Sequence, residues 1–416
     1  MLLTDYISEQ DANELMERYY RGDLVSELLL EYDIPVTASK LITLFPPRIL
    51  KRQCPYCDEN LQQKRPSKSA MNDRWHNSTN FPYCPSCNHT EIDETSHRFQ
   101  QCHCNNCQEI RDVIAAQEVA KEQDAINRYL AKDGIAPVEY FSLNHTQYLY
   151  LATLLRGAGD ESCEHIIGDK IFGSVLTERG KPVPISPCTE FTREEMMMTL
   201  WNSGVIRLSD ESPLDGFSIA QDDDGLFVKG VYLNKCWWKQ NTTMQDTGYL
   251  LSPGMAMDFD ECLDLWKKIA KAEIIRYLNV SRDEINLNSP IGPKTNDLID
   301  WILERYSVAQ AYNFIWRGVR EALHFNEKNG ISGKHASNMV ISSIRRRAEK
   351  AFATDTEVEC YGRTEPPSLV AQLFYDYMLG IGERGFTECP NMDAVIDAIS
   401  ARLNALNEDE DESSDE

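Results

Sequence analysis

Apolar residues recur at three- and four-residue spacing along most of the second half of the chain. Leu263, Leu265, Trp266, Ile269, Ile274, Ile275 and Leu278 make one apolar face, and similar faces run over 298–306, 308–325, 336–351, 368–379 and 392–406. This period predicts a succession of amphipathic helices from residue 258 onward. Residues 12–45 also read as mostly helical, with breaks at Gly22 and Pro35, and a more polar helix is expected over 114–130, stopped by Gly134 and Pro137. The stretch 137–255 is mixed. A helix opens at Asn144 or His145 and ends at Gly157, and Thr192 with Glu195 fits a capping box whose helix ends at Gly204. Val205, Ile206 and Leu208, and the alternation of Leu226 with Val228 and of Val231 with Leu233, predict short strands. Helix, turn and strands together would suit a winged-helix-like unit. The proline-rich stretch 181–187 reads as a linker or exposed loop.

Charge narrows the range of functions. The 416 residues hold 66 acids against 42 bases, a net charge of −24. Such a surface repels phosphate, so any nucleic-acid contact must come from a local basic island. One exists: residues 40–74 contain eight bases (Lys40, Arg48, Lys51, Arg52, Lys64, Arg65, Lys68, Arg74) and three acids. Trp75, Phe81 and Tyr83 lie close by as candidate stacking surfaces. The plainer reading is a solvated loop with core aromatics. Seven acids fall in the last nine residues, and this tail is expected to be disordered. No apolar run reaches the roughly 20 residues needed to span a bilayer, and the N-terminus lacks the pattern of a secretory signal.

Seven of the thirteen cysteines crowd between residues 54 and 107, and the rest are scattered singly. The expectation is a reducing cytoplasm, prokaryotic, with metal binding in place of disulfides. The cluster reads Cys54-Pro55-Tyr56-Cys57, Cys84-Pro85-Ser86-Cys87, and Cys102-His103-Cys104-Asn105-Asn106-Cys107. A Cys-x-x-Cys turn places two thiolates on one side of a knuckle, and two knuckles supply the tetrahedral sulfur set that Zn²⁺ prefers. The cluster resembles the zinc-ribbon family, which implies a short strand-built module around a structural metal. Cys84, Cys87, Cys104 and Cys107 have the spacing of one ribbon, Cys-x₂-Cys-x₁₆-Cys-x₂-Cys. Cys54 and Cys57 would then draw partners from Cys102, His76, His89, His97 or His103. The rival assignment joins Cys54 and Cys57 to Cys84 and Cys87; the spacing favours the first, and interleaved sites are the further alternative. One zinc is expected, with room for two. A redox dithiol lacks its usual thioredoxin-like setting, and a catalytic zinc would keep an open position.

Residues 23–32 form a short amphipathic helix, then a turn through Asp33, Ile34 and Pro35, then a second helix over 37–45 ended by Pro46 and Pro47. Leu28, Leu29, Ile34, Val36, Leu41, Leu44 and Phe45 would be its core. Thr37, Ser39, Lys40 and Thr43 would be its outer face, able to reach bases or phosphates. Residues 27–46 resemble the helix-turn-helix of serine recombinases, although Asp33 stands where the turn usually has glycine. The resemblance implies a DNA-binding element, and the alternative is an ordinary pair of packed helices.

Other signals are weaker. Arg317 and His324, with six residues between them on a helix, resemble the Arg-x₄₋₆-His signature of HEPN ribonucleases, in which the histidine acts on the RNA 2′-hydroxyl and the arginine on phosphate. Gly318 departs from the polar residue usual there. Gly380-Ile381-Gly382-Glu383-Arg384-Gly385 lacks the strand–turn–helix context of a phosphate cradle and reads as a helix end and turn. The triplet Arg345-Arg346-Arg347 is a further basic spot that the acidic tail can neutralise.

The expected fold is mainly α and multidomain. A helix-turn-helix-like region (1–50) and a zinc-ribbon module (51–110) precede a helical and mixed α/β region (111–255). A helical domain (256–407) and an acidic tail (408–416) follow. The expected function is a zinc-containing cytoplasmic binding protein. It would contact nucleic acid, DNA before RNA, through Thr37, Ser39, Lys40, Thr43, Lys51, Arg52, Lys64 and Arg65, without membrane association. The alternatives are a protein-interaction or scaffold subunit, with a protein partner or a second copy of the chain, and a HEPN-like ribonuclease.

Overall fold

The structure is a computed structural model describing residues 2–71, 80–92, 102–132, 134–176, 180–243, 258–284, 291–329 and 333–413. Trp75, Arg74, His76 and His97 lie outside the described residues. The fold is mainly helical with small sheets, and the chain divides into two compact units, Met1–Lys121 and Glu122–Glu416.

The first unit opens with α1 (Glu9–Arg21), whose N-cap Ser8 accepts the Asp11 N–H at 3.2 Å. α2 (Val25–Glu31) follows after a short turn. Arg18 staples the two helices, reaching both Glu31 oxygens at 2.7 and 2.9 Å and Asp23 at 2.9 Å. Leu3, Leu15, Tyr19, Leu28, Ile34, Leu41 and Phe45 pack as its core. α2 closes with Asp33 at φ 51° and the Ile34 N–H on the Leu29 carbonyl at 3.0 Å. That is a Schellman end, with aspartate in the place glycine usually takes.

The second helix expected over 37–45 is not formed, and with it the helix-turn-helix. Residues 38–40 turn, and Leu41–Leu44 is a single 3-10 turn. Three causes act together. Prolines at 35, 46 and 47 bracket a segment too short to pay for helix nucleation. Thr37 and Ser39 hydrogen-bond each other at 3.3 Å, and Thr43 Oγ1 donates to the Lys40 carbonyl at 2.7 Å, so local side-chain bonds compete with a helical ladder.

β1 (Arg48–Gln53) and β2 (Asn60–Gln63) then form an antiparallel pair, extended by mutual hydrogen bonds between Gln62 and Tyr83 at 2.7 Å. Tyr20 O–H donates to Pro66 O at 2.8 Å and Arg65 Nε to Pro46 O at 2.9 Å, stitching this ribbon to the helices before it. α3 (Asn105–Lys132) leaves the cysteine cluster.

The second unit has one continuous core running from Ile126 to Ile399, on both sides of residue 255. α4 (His145–Ala158) starts at the Asn144–Gln147 capping box and continues through Gly157. A Cβ on Gly157 would sit 2.6 Å from Ile185 Cγ1, so this glycine serves a close packing contact and does not end the helix. β3 (His165–Ile167) pairs with β9 (Trp237–Gln240), which pairs with β6 (Ile206–Leu208), and Trp238 is fully buried at the centre. β4 (Ser174–Leu176) and β5 (Pro182–Pro184) make a separate two-stranded sheet, its second strand lying in the stretch expected as a proline-rich loop. The π-helical segment Phe191–Met197 leads into α5 (Met198–Asn202). The expected Thr192 capping box is absent, because helix begins before Thr192, and Thr192 Oγ1 lies 2.5 Å from Ser186 Oγ. β7 (Phe217–Asp222) and β8 (Gly225–Val231) form a hairpin.

The helices from residue 258 match the sequence periods: α6 (Phe259–Asp283), α7 (Pro293–Leu303), α8 (Val308–Asn329) and α9 (Gly333–Ala353). α10 (Leu369–Gln372) continues as a π turn, Leu373–Met378, and α11 (Arg384–Thr387) and α12 (Met392–Ser413) complete the unit. α12 carries helical backbone into the acidic run that the composition led us to expect as disordered. No helix among the described residues is long and apolar enough to cross a membrane.

Candidate metal centre

Two four-membered donor sets stand in the first unit: Cys54, Cys57, Cys84 and Cys87, and His89, Cys102, Cys104 and Cys107. The sequences Cys54-Pro55-Tyr56-Cys57-Asp58-Glu59 and Cys84-Pro85-Ser86-Cys87-Asn88-His89 fold alike. In each, the first cysteine's N–H reaches the carbonyl five residues on, Glu59 or His89, at 2.7 Å. The residue after the second cysteine, Asp58 or Asn88, sits at φ 57°. Aspartate and asparagine tolerate that left-handed turn, and the proline stiffens the knuckle. The two knuckles thus aim their thiols at each other.

Sulfur separations in the first set are 3.2 Å (Cys57–Cys84), 3.6 Å (Cys54–Cys87) and 3.7 Å (Cys57–Cys87). In the second set His89 Nδ1 lies 3.2, 3.6 and 3.7 Å from the sulfurs of Cys107, Cys102 and Cys104. A tetrahedral zinc with bonds of about 2.3 Å to sulfur requires edges of about 3.8 Å, so the donor atoms stand within about 0.6 Å of the spacing the ion asks for. All thirteen cysteines are free thiols. Both sets are positioned to bind zinc, so the chain has places for two ions. Four protein donors at each leave no open coordination position, the pattern of structural metal.

The surroundings prepare the thiols for a cation. The Thr90 N–H donates to Cys102 Sγ at 3.2 Å, and the Cys107 N–H to Cys104 Sγ at 3.4 Å. Cys104 immediately precedes α3, so its sulfur caps that helix and gains from its dipole. Burial lifts the Cys107 thiol to about 12 and pushes Cys87 upward too. At Cys84 burial also acts upward, but the N–H groups of Cys87 and Ser86 and the Cys57 thiol outweigh it and bring the group to about 7. Thiols this crowded cannot all ionise together unless a dication joins them.

The ligand pairing corrects the assignment favoured from spacing. Cys84 and Cys87 close with Cys54 and Cys57, and Cys104 and Cys107 close with Cys102 and His89. The spacing of one ribbon was met by four cysteines that belong to different sites. The signal for His89 was its position two residues after Cys87, inside the cysteine-rich stretch. His103 is exposed and takes no part.

The eight residues expected to contact nucleic acid do not form one surface of a helix. Thr37, Ser39, Lys40 and Thr43 are exposed on turns. Lys51 and Lys64 are exposed and have no carboxylate partner among the described residues. Arg52 pairs with Glu91 at 3.0 Å, and Arg65 is half-buried in its bond to Pro46. Beside the first donor set lies an open cavity of about 450 Å³ lined by Lys64, Asn80, Phe81, Tyr83, Asn88 and Thr90.

Arg317 and His324 are both exposed on α8. A Cβ at Gly318 would stand 2.9 Å from Ile344 Cγ1 and 3.2 Å from the Val340 carbonyl of α9. The position where HEPN proteins carry a polar residue is therefore a tight helix–helix contact here. The triplet on α9 meets acids inside the unit: Arg346 and Arg347 pair with Glu321, the latter at 2.9 Å, and Arg345 approaches Glu349 at 3.9 Å. Lys235 and Lys239 beside Trp237 and Trp238 pair with Asp215 and Asp210. Compared with protein-family models, with curated proteins and with solved structures, the chain matches none.

Proposed function

We propose that the chain is a zinc-braced binding protein that contacts single-stranded nucleic acid through its ribbon. The observation that carries this reading is the cavity beside the first donor set, where Phe81 and Tyr83 stand with Lys64 and the amides of Asn80 and Asn88. Aromatic faces stack on any base, amides hydrogen-bond base edges, and a lysine meets phosphate. β1 adds Arg48, Lys51 and Arg52, all exposed, to the same small sheet. The metal supplies rigidity, since Asn88 belongs to the knuckle that Cys84 and Cys87 anchor. A preference for DNA rested on a recognition helix, and without that helix the reading covers DNA and RNA alike.

The test is fluorescence anisotropy with a labelled single-stranded oligonucleotide and the zinc-loaded protein. Affinity should fall steeply with salt, and Lys51→Glu with Lys64→Glu should weaken it by about tenfold or more. Binding that ignores both salt and these substitutions would sink the reading.

A second reading, a protein-interaction subunit, draws on a cavity of about 840 Å³ in the second unit between the π-helical segment, α6 and α7. Six acids and three lysines line it. Lys268 is already taken by Glu195 and Asp264, and Lys271 by Asp300. The remaining acidity suits a basic segment of a partner. Co-purification of a protein that survives the ribbon substitutions and is lost on Glu190→Lys with Glu194→Lys would favour this reading.

A further inference from the structure

The two donor sets of the first unit differ in how far solvent reaches them. His89, Cys102, Cys104 and Cys107 are all at or below 5% exposed, whereas Cys57 of the first set opens to water. A sulfur of the other knuckle, Cys84 Sγ, stands 3.2 Å from it, and Cys87 Sγ follows at 3.7 Å. Cys54 and Cys87 also meet across the knuckles, at 3.6 Å. Cys54 and Cys84 themselves are buried, so Cys57 is the member that a dissolved reagent meets first. An accessible thiolate with a second one in reach is the arrangement that oxidation turns into a disulfide.

Each knuckle holds its own shape. The Cys54 and Cys84 N–H groups close their turns on the Glu59 and His89 carbonyls, and Asp58 and Asn88 fix the left-handed positions. Knuckle is joined to knuckle by the sulfur set, with the Gln62–Tyr83 ladder bonds beside it. A bond between Cys57 and Cys84 takes over that joint by closing the gap between the sulfurs by about 1 Å. The surroundings also select the oxidant. Asp58 and Glu59 follow Cys57 and are both exposed, so an anionic disulfide is repelled. Hydrogen peroxide, small and uncharged, meets no such barrier.

We propose that the first set is a site of peroxide oxidation, in which Cys57 attacks and Cys84 resolves, so that closure of the ribbon passes from metal to disulfide while the second set keeps its ion. The Cys57 thiolate attacks one oxygen of hydrogen peroxide. The O–O bond breaks, hydroxide leaves, and the sulfur becomes a sulfenic acid. The Cys84 thiolate then attacks that sulfur, the S–S bond forms, and a second hydroxide leaves. The two sulfurs lose two electrons between them and the peroxide gains both. With two of its four donors spent, the first set no longer holds a dication, and a dithiol reductant with fresh zinc restores it. The chemistry needs only the metal set and stands whatever the ribbon binds.

The test treats the full-length, zinc-loaded protein with a small excess of hydrogen peroxide. A chromophoric chelator reads released zinc, and mass mapping of unreduced peptides reads the disulfides. We expect release of one of the two ions, a Cys57–Cys84 bond in the map, and recovery of the parent on adding dithiothreitol and zinc. Cys57→His keeps four donors, of the kind the second set already has, and cannot form the bond; it should slow release by about tenfold or more. Cys360→Ser removes an exposed thiol of the second unit and should leave the rate unchanged. The map is made on the parent chain, so it decides even where a variant loads zinc poorly. Loss of both ions together, Cys57 unoxidised, joined to another cysteine or carried on to sulfinic acid, or parental release from Cys57→His would each overturn the proposal, as would slowed release from Cys360→Ser.

Discussion

The Tyr56 hydroxyl, carried by the first knuckle, lies 3.9 Å from the Cys107 sulfur of the other donor set, and its ring stands edge-on to His89 with centroids 4.9 Å apart. One side chain between two cysteines of the first set thus positions two ligands of the second. Partners of this kind typically change metal affinity by about 10–100-fold when removed. Tyr56→Ala should therefore weaken zinc at the second set by about tenfold while sparing the first, and Tyr56→Phe should recover most of the packing. Competition with a chromophoric chelator reads both affinities; equal losses at the two sets would contradict this role.

The two sets differ in exposure, so they should lose metal in order. Cys57 is exposed and Cys87 half-buried, whereas His89, Cys102, Cys104 and Cys107 are all at or below 5% exposed. Zinc release to excess chelator should be biphasic, with Cys84→Ser removing the fast phase and Cys104→Ser the slow one. A single phase, or the reverse assignment, would refute it. The core from Ile126 to Ile399 contains no residue of the first unit, so the calorimetric transition of the second unit should persist after chelation.

Within the proposed nucleic-acid contact, stacking and charge should separate. Phe81→Ala should weaken binding by about 1–3 kcal/mol and leave its salt dependence intact. Lys64→Gln should reduce the slope of log affinity against log salt by about one. Anisotropy titrations at four salt concentrations distinguish them, and a Phe81→Ala variant that binds normally would remove the stacking role.

Glu321 on α8 gives a pH signature. It accepts the Ser343 hydroxyl at 2.6 Å and pairs with Arg346 and Arg347, which together hold it at about 2. A folded value below the unfolded one, about 4.5, means that its stabilisation is complete above pH 4.5 and fades as the pH falls toward 2. Glu321→Gln should lower the Tm of the second unit by about 2–4 °C at pH 7, and the gap to the parent should close in acid. The side chain is a third exposed, so high salt should narrow the gap as well. A gap independent of pH would assign the effect to packing.

The helices after residue 258 were legible because their apolar period is long and uninterrupted, and periodicity survives tertiary packing. The metal chemistry was legible because few other uses bring seven cysteines together in so short a stretch. The pairing was not, since spacing alone cannot say which knuckle faces which, and the deciding contacts are backbone turns at Asp58 and Asn88. The second helix over 37–45 failed for a local reason: its apolar positions fit a helix, but its threonines, serine and flanking prolines favour turns. Gly157 misled in the opposite way, because a glycine needed for contact with Ile185 looks the same in sequence as one that ends a helix. The small cavity of the second unit that Glu273 and Ser368 line left no trace at all, being assembled from residues 95 positions apart.

The order of the donors along the chain has a consequence for how the protein is made. All four ligands of the first set, ending at Cys87, precede all four of the second, which begin at His89. The first ion can therefore be captured while the rest of the polypeptide is still being synthesised, with no wait for a distant strand to return. Once closed, that loop presents His89 in place for the segment carrying Cys102, Cys104 and Cys107 as it emerges. An interleaved arrangement of the same eight donors would have kept both sites open to the wrong partners until synthesis had passed the last of them.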